Sequence, residues 1–256
     1  MHVHHHNGTP WWSFPSLARL PFLRHGVFTR HGGVSEGPFA SLNVGHGCGD
    51  VPQHVETNRR IVGRCLGGGS LVRARQVHGC TVRVVTREEA GHPPATADAL
   101  VTDVPGLLLL IQVADCQPVL ICDPRRRVVA AVHAGWRGSV ADVAGATVRV
   151  MTDRFGSRPE DLTAAIGPSL GPCCGEFVHY RDEIPEALWS FRVDPTRFDF
   201  WAVTRLQLTA AGVPDAAIET AGVCTRCRTD TFYSYRGEGT TGRFAAVIGL
   251  AAENPA

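Results

Sequence analysis

The densest apolar pattern in the chain lies in its middle third. Residues 106–114 (GLLLLIQVA), 118–122 (PVLIC) and 127–133 (RVVAAVH) are nearly continuous apolar runs, not alternations. Short runs of this kind predict strands covered on both faces. Weaker strand patterns fall at 71–78 (LVRARQVH), 81–86 (TVRVVT), in LTAAIGP, and at about 217–223. The C-terminal TFYSYRGEGTTGRFAAVIGLA predicts two strands joined by a glycine-rich turn.

Helical spacing appears elsewhere. In DVPQHVETNRRIVGRCLGGG, Val55, Val62 and Leu66 share a face. Asp50 is the expected cap, Pro52 suits the first turn, Gln53 completes a capping box, and Gly67–Gly69 ends the helix. In SVADVAGATVRVMTDRF, Ser139 is the expected cap, and Val140, Val143, Thr147, Met151 and Phe155 form a stripe. EFVHYRDEIPEAL and FDFWAVTRLQLTAAG also read as helices. Strands and helices mix without strict βαβ alternation, which predicts an α+β fold with sheet packed between helices.

The 256 residues are 44% hydrophobic, enough for a substantial core. The length suits one large domain, taken as residues 21–252, after a His-rich tail and lead-in at 1–20. That tail (His2, His4, His5, His6) is expected to be flexible. Net charge is +1, and Arg125–Arg127 reads as a solvated turn, so no nucleic-acid partner is expected. All 25 basic residues are arginine, which excludes lysine Schiff-base chemistry and a lysine-bearing phosphate loop. GLLLLI is too short for a bilayer span, and the opening MHVHHHNGTPWWSF lacks the apolar run of a secretory leader. No membrane partner is expected, and the nine cysteines are expected as thiols in a reducing cytoplasm.

Three segments share a design: RQVHG ends at His78, IQVADCQP near Cys116, and AAVHAGWRG at His133, each beside a turn residue. Side chains at the ends of buried strands sit on a rigid base yet can reach a cleft. If the three converge, two imidazoles and a thiolate suit zinc with a fourth position open to water or substrate. Separations of 38 and 17 residues are not a metal spacing by themselves. Buried core residues, or a Cys116–His133 nucleophile pair of a metal-free cysteine hydrolase, remain open readings of the same atoms.

The segments FTRHGGVSEGPFASLN, QVHG, ADALVTD, ADCQPVLICDP, VHAGWRG, AIGPSLGPCCGEF and FYSYRGEGTTGR occur in this order. Together they resemble the YfiH-like bacterial purine nucleoside phosphorylase family, also labelled laccase-domain or polyphenol oxidase, from about residue 26 to 250. The resemblance implies an α+β fold of mixed sheets sandwiched between helices (α/β/β/α layers). It also implies a zinc centre on His78, Cys116 and His133. The implied activities are phosphorolysis of adenosine, inosine, guanosine and methylthioadenosine, a transferase reaction, and deamination of adenosine, a hydrolase reaction. The implied partners are a purine nucleoside and phosphate.

From their places in the matched segments, Asn43, Arg59, Gln76 and Arg30 are substrate-contact candidates, the arginines as phosphate forks. Asn43 can instead stabilise its loop, and Arg59 can lie on a solvated helix face. Asp115 can act as a base, orient a zinc water, or cap a turn; Asp98 has the same ambiguity. HGGVSEG can cradle phosphate or form a plain turn.

The older label suggests a copper polyphenol oxidase as the alternative. Outside the tail the chain has eight histidines and no H-x-H pair, which argues against a multicopper cluster, although imidazole and thiolate also bind copper. A non-catalytic nucleoside-binding module is a further alternative. Cys224-x-x-Cys227 has the spacing of half a zinc site, and Cys173–Cys174 is the nearest thing to a second half. Ordinary thiols are the expected reading of these four.

Overall fold

The computed structural model describes residues 1–89 and 92–252. Its twelve strands are β1 (His2–His6), β2 (Thr9–Ser13), β3 (Leu23–Phe28), β4 (Ser70–Arg73), β5 (Val82–Val84), β6 (Ala99–Thr102), β7 (Leu107–Val113), β8 (Gln117–Asp123), β9 (Val128–Ala134), β10 (Thr163–Ile166), β11 (Ile218–Thr220) and β12 (Phe244–Leu250). They form two six-stranded mixed sheets, ordered β1-β2-β3-β12-β7-β4 and β11-β10-β8-β9-β6-β5.

The sheets pack face to face, and strand alternation sorts side chains between inner and outer faces. In β7, Leu107, Leu109, Ile111 and Val113 point into the inter-sheet core, while Leu108 and Leu110 point outward. In β9, Val129 and Ala131 face the first sheet; Val128, Ala130 and Val132 face away from it. Both faces are covered, which is why these strands read as unbroken apolar runs.

Of the helices, α1 (Pro15–Ala18) is one turn. Helix α2 (Pro52–Cys65) covers the outer face of the first sheet through Val62. Helices α3 (Trp136–Val140), α4 (Val143–Phe155) and α6 (Phe200–Ala210) lie on the second sheet's side, where Val148, Met151 and Leu208 join its outer cluster. The layers are therefore α/β/β/α, as expected. No helix among the described residues is long and apolar enough to cross a membrane.

Several local expectations differ from the fold. Residues 2–6 are not a loose tail: they pair antiparallel with β2, and His4 stacks on Trp11. Val51, not Asp50, is the cap position of α2; Asp50 turns back to accept from Ser35 and Asn43. The helix expected from Ser139 is broken into α3 and α4. Asp142, in a left-handed conformation, restarts it by accepting from the Gly145 amide. Residues 74–78 leave the strand after Arg73, and EFVHYRDEIPEAL holds only α5 (Tyr180–Glu183) and the start of a six-residue 3-10 stretch (Glu186–Phe191). The C-terminal pair of strands is one strand, β12, preceded by α7 (Tyr235–Glu238), whose Ser234 cap accepts from the Gly237 amide. Strand β6 carried too short an apolar run to be recognised.

Candidate metal centre and cavity

One end of the second sheet gathers the site. Strand β9 ends there at His133–Ala134, and β8 starts there, with Pro118 opposite His133. Strand β6 also starts there, because Ala99 pairs with Val132. Strand β5 runs parallel to β6, so the segment before it, containing His78, arrives at the same end. Cys116 lies in the short link that carries the chain from β7 in one sheet to β8 in the other. Residues 38 and 17 positions apart thus meet through topology alone.

The donor atoms of His78, Cys116 and His133 lie within 4.8 Å of one another. The imidazole rings of His78 and His133 are edge to face, 4.9 Å between centres. Gly135 permits the approach: a Cβ there would lie 2.5 Å from His78 Cδ2 and 3.3 Å from Cys116 Sγ. His78 itself takes a positive φ of 62°, uncommon for a residue other than glycine.

Asp98 organises the group. It is buried, and its Oδ1 accepts from His133 Nδ1 at 2.8 Å and from the His78 amide at 2.9 Å. Oδ2 accepts from the Gly79 amide at 2.8 Å. Because the carboxylate can only accept, His133 keeps a proton on Nδ1, which leaves Nε2 as the nitrogen available to a metal ion. Burial alone would push the Asp98 carboxyl up; His133 and the amides of Gly79 and Val77 outweigh it and hold it below the usual range.

The thiol and imidazole are similarly coupled. Burial pushes the Cys116 thiol up, but the charge of His133 and hydrogen bonds from His133 and His78 bring it down to about 6. Burial pulls His133 down, and the Cys116 thiolate and Asp98 carboxylate lift it to about 9. Each partner therefore favours the charged form of the other, thiolate beside imidazolium. A divalent ion would take the place of the shared proton, and two imidazole nitrogens with one thiolate fit such an ion.

The three donors open onto a cavity of about 630 Å³. Its wall carries three arginines, Arg137, Arg236 and Arg243, and an aromatic side of Trp136, Phe177 and Phe200. Gln76 is at the wall, with its amide spent on both backbone groups of Gln112. Asp115 also reaches the wall, but its carboxylate accepts from Thr225, Ser234 and the Arg236 amide at 2.6–2.7 Å.

The other substrate-contact candidates lie away from the cavity. Asn43 is buried and bonded to Gly45, Asp50 and the Arg243 amide, so it shapes the loop beneath Arg243. Arg59 lies against α2 with its guanidinium on the Val44 carbonyl and Glu56. Arg30 stacks on Tyr233 and pairs with Glu238. The cavity arginines escaped the sequence reading, although each sits in a quoted segment: GWRG, YRGEG and TTGR.

Fold and donor set together define a class: a two-sheet α+β protein with three donors that could hold a metal ion, facing a roomy cavity. Residues 24–251 match the family described as "Multi-copper polyphenol oxidoreductase laccase", and the chain belongs to that family. It is 39% identical to purine nucleoside phosphorylase YlmD of Geobacillus stearothermophilus over 88% of this chain and 89% of that protein. It is 38% identical to purine nucleoside phosphorylase YfiH of Escherichia coli, covering 87% and 91%. The crystal structure of YlmD from Geobacillus stearothermophilus superimposes with a TM-score of 0.87 at 35% identity, covering 97% of this chain and 98% of that one.

Proposed function

We propose that this protein is a zinc-dependent purine nucleoside phosphorylase that acts on adenosine, inosine, guanosine and methylthioadenosine, and that it also deaminates adenosine. The observation that carries the reading is the convergence of His78, Cys116 and His133 on a cavity walled by Arg137, Arg236 and Arg243. The names of the curated relatives support the same reaction. A cytoplasmic enzyme is consistent with the free thiols.

His78, Cys116 and His133 would hold the ion, with Asp98 fixing the ring of His133. When bound, zinc supplies a Lewis acid and lowers the pKa of a coordinated water. The arginines supply paired N–H donors for phosphate, whose oxygen attacks C1′ as the bond from C1′ to the purine breaks. The products are ribose 1-phosphate and the purine, which takes up a proton. Trp136, Phe177 and Phe200 offer apolar faces on which the base can stack and from which water is displaced. Deamination replaces the 6-amino group of adenosine with oxygen from water and releases ammonia.

Multicopper chemistry requires several coppers held by clustered imidazoles. Of the eight histidines outside β1, only His78 and His133 share a metal-competent group among the described residues. That observation favours the phosphorylase over the oxidase.

The test is hypoxanthine release from inosine with and without phosphate, alongside metal analysis. Release should require phosphate, and Cys116→Ala should abolish it together with the metal at this centre. Adenosine should yield inosine without phosphate. Normal nucleoside turnover by Cys116→Ala, or phenol oxidation without any phosphate-dependent release, would overturn the assignment.

A further inference from the structure

A second group of metal-competent donors lies outside the cavity. Cys173, Cys174, Cys224 and Cys227 place their four sulfurs within 4.8 Å of one another. Cys173 and Cys174 each lie 3.6 Å from Cys227, Sγ to Sγ. A disulfide needs about 2.05 Å. Zinc–sulfur bonds of about 2.3 Å at tetrahedral angles place sulfurs about 3.8 Å apart. The observed spacing therefore suits four ligands around one ion.

We propose that these four cysteines form a structural zinc site, separate from the His78–Cys116–His133 centre. Hydrophobic packing does not explain the cluster, because Cys173 and Cys227 are exposed and only Cys224 is buried. A tetrathiolate zinc carries a net charge of −2. Arg197 and Arg226 line the shallow recess around Cys173 and Cys174, and Arg197 donates to the Cys173 carbonyl at 2.8 Å.

The position gives the ion a task. It joins two loops with little regular structure of their own, the one after β10 and the one after β11. Among the described residues, the isolated bridge Ser169–Cys224 is the ladder contact between them. Both loops hold Asp115: Leu170 donates its amide to the Asp115 carbonyl, and Thr225 donates its hydroxyl to the Asp115 carboxylate. Asp115, Leu170 and Gly175 all line the active cavity. The zinc would thus clamp the cavity wall from behind, with no open coordination position and no contact with substrate. Cys-x-x-Cys and an adjacent Cys–Cys pair from distant segments supply the ligands, which is why sequence spacing alone did not reveal the site.

The experiment separates the two centres by variant and by ligand type. Protein purified under reducing conditions and washed with a mild chelator is measured for zinc by mass spectrometry and by X-ray absorption at the zinc edge. The wild type should hold two zinc ions per chain. Cys116→Ala should keep one, with only sulfur neighbours, a signature the N-terminal histidines cannot produce. Cys224→Ser/Cys227→Ser should lose the sulfur-only ion and, if folded, melt lower. Should that variant fail to fold, the Cys116→Ala measurement decides alone. A Cys116→Ala protein without a sulfur-only zinc, or with a disulfide among the four cysteines, would overturn the proposal. Retention of a further zinc with nitrogen neighbours would instead count against Cys116 as a ligand of the His–Cys–His centre, so failure of the two readings is distinguishable.

Discussion

At the scale of single residues, Asp98 does more than either ligand histidine to define the centre. One carboxylate accepts from the His133 ring N–H and from three consecutive backbone amides, Val77 to Gly79. It therefore fixes a tautomer and the loop that delivers His78 in the same stroke. Asp98→Asn keeps the shape but swaps an acceptor oxygen for an N–H₂ group facing donors. We expect a metal affinity lower by about 10–100-fold, measured by chelator competition. The loss of charge-assisted bonds should also cost about 1.5–3 kcal/mol in urea unfolding at neutral pH. The sign of the pH dependence follows from the depressed carboxyl. Its contribution is present above the ordinary aspartate pKa and is lost as pH falls through the folded value. The stability gap between wild type and Asp98→Asn should accordingly narrow in acid; a gap unchanged across that range would remove the carboxylate's charge from the account. Asp98 was visible in ADALVTD only as an acid of two possible roles, because nothing local ties it to residue 133.

At the scale of elements, the pattern of apolar runs located β7, β8 and β9 well, since burial on both faces writes itself into every residue. Elements held by one face or by capping were less legible. The 139–155 helix splits because Asp142 adopts φ 57° and restarts it, a choice its side chain makes through the Gly145 amide. The ligand residues were legible for a related reason: a polar residue closing an apolar strand is conspicuous. The cavity arginines were not, because all 25 Lys-or-Arg positions in this chain are arginine and position alone distinguishes three of them. The β9–α3 junction is the element that sets the centre's geometry. Gly135 there has φ −70°, so the backbone tolerates any residue and only contact excludes one. Gly135→Ala should force His78 aside and lower both metal retention and turnover by about 100-fold, the usual cost of an ångström-scale misplacement. Circular dichroism should remain that of the wild type. An alanine variant with full metal and full activity would show that the ligand loop gives way without consequence.

At the scale of the whole molecule, the centre lies at one end of the second sheet and the N-terminal strand at the far edge of the first, and the N-terminus tests how independent the two are. Strand β1 is the outer edge of the first sheet, all five of its side chains are exposed, and its ladder partner is β2 alone. The metal centre belongs to the opposite sheet, at the ends of β5, β6, β8 and β9. Deleting residues 2–6 removes the ladder, the bond from His4 to Ser13, and the stacking of His4 on Trp11. It removes no inter-sheet core residue. Melting temperature should fall by less than about 8 °C, the equivalent of about 2 kcal/mol for a chain of this size. Metal at the His–Cys–His centre and nucleoside turnover should stay at wild-type levels. The deletion also bares the edge of β2, which carries Trp11 and Trp12 and pairs with β3 only at those two residues. Unprotected edges recruit other strands, so the shortened protein should self-associate more readily on size-exclusion chromatography. A shortened protein that stays monodisperse yet loses turnover would reverse this division, because the edge strand would then support the distant centre rather than shield its own sheet.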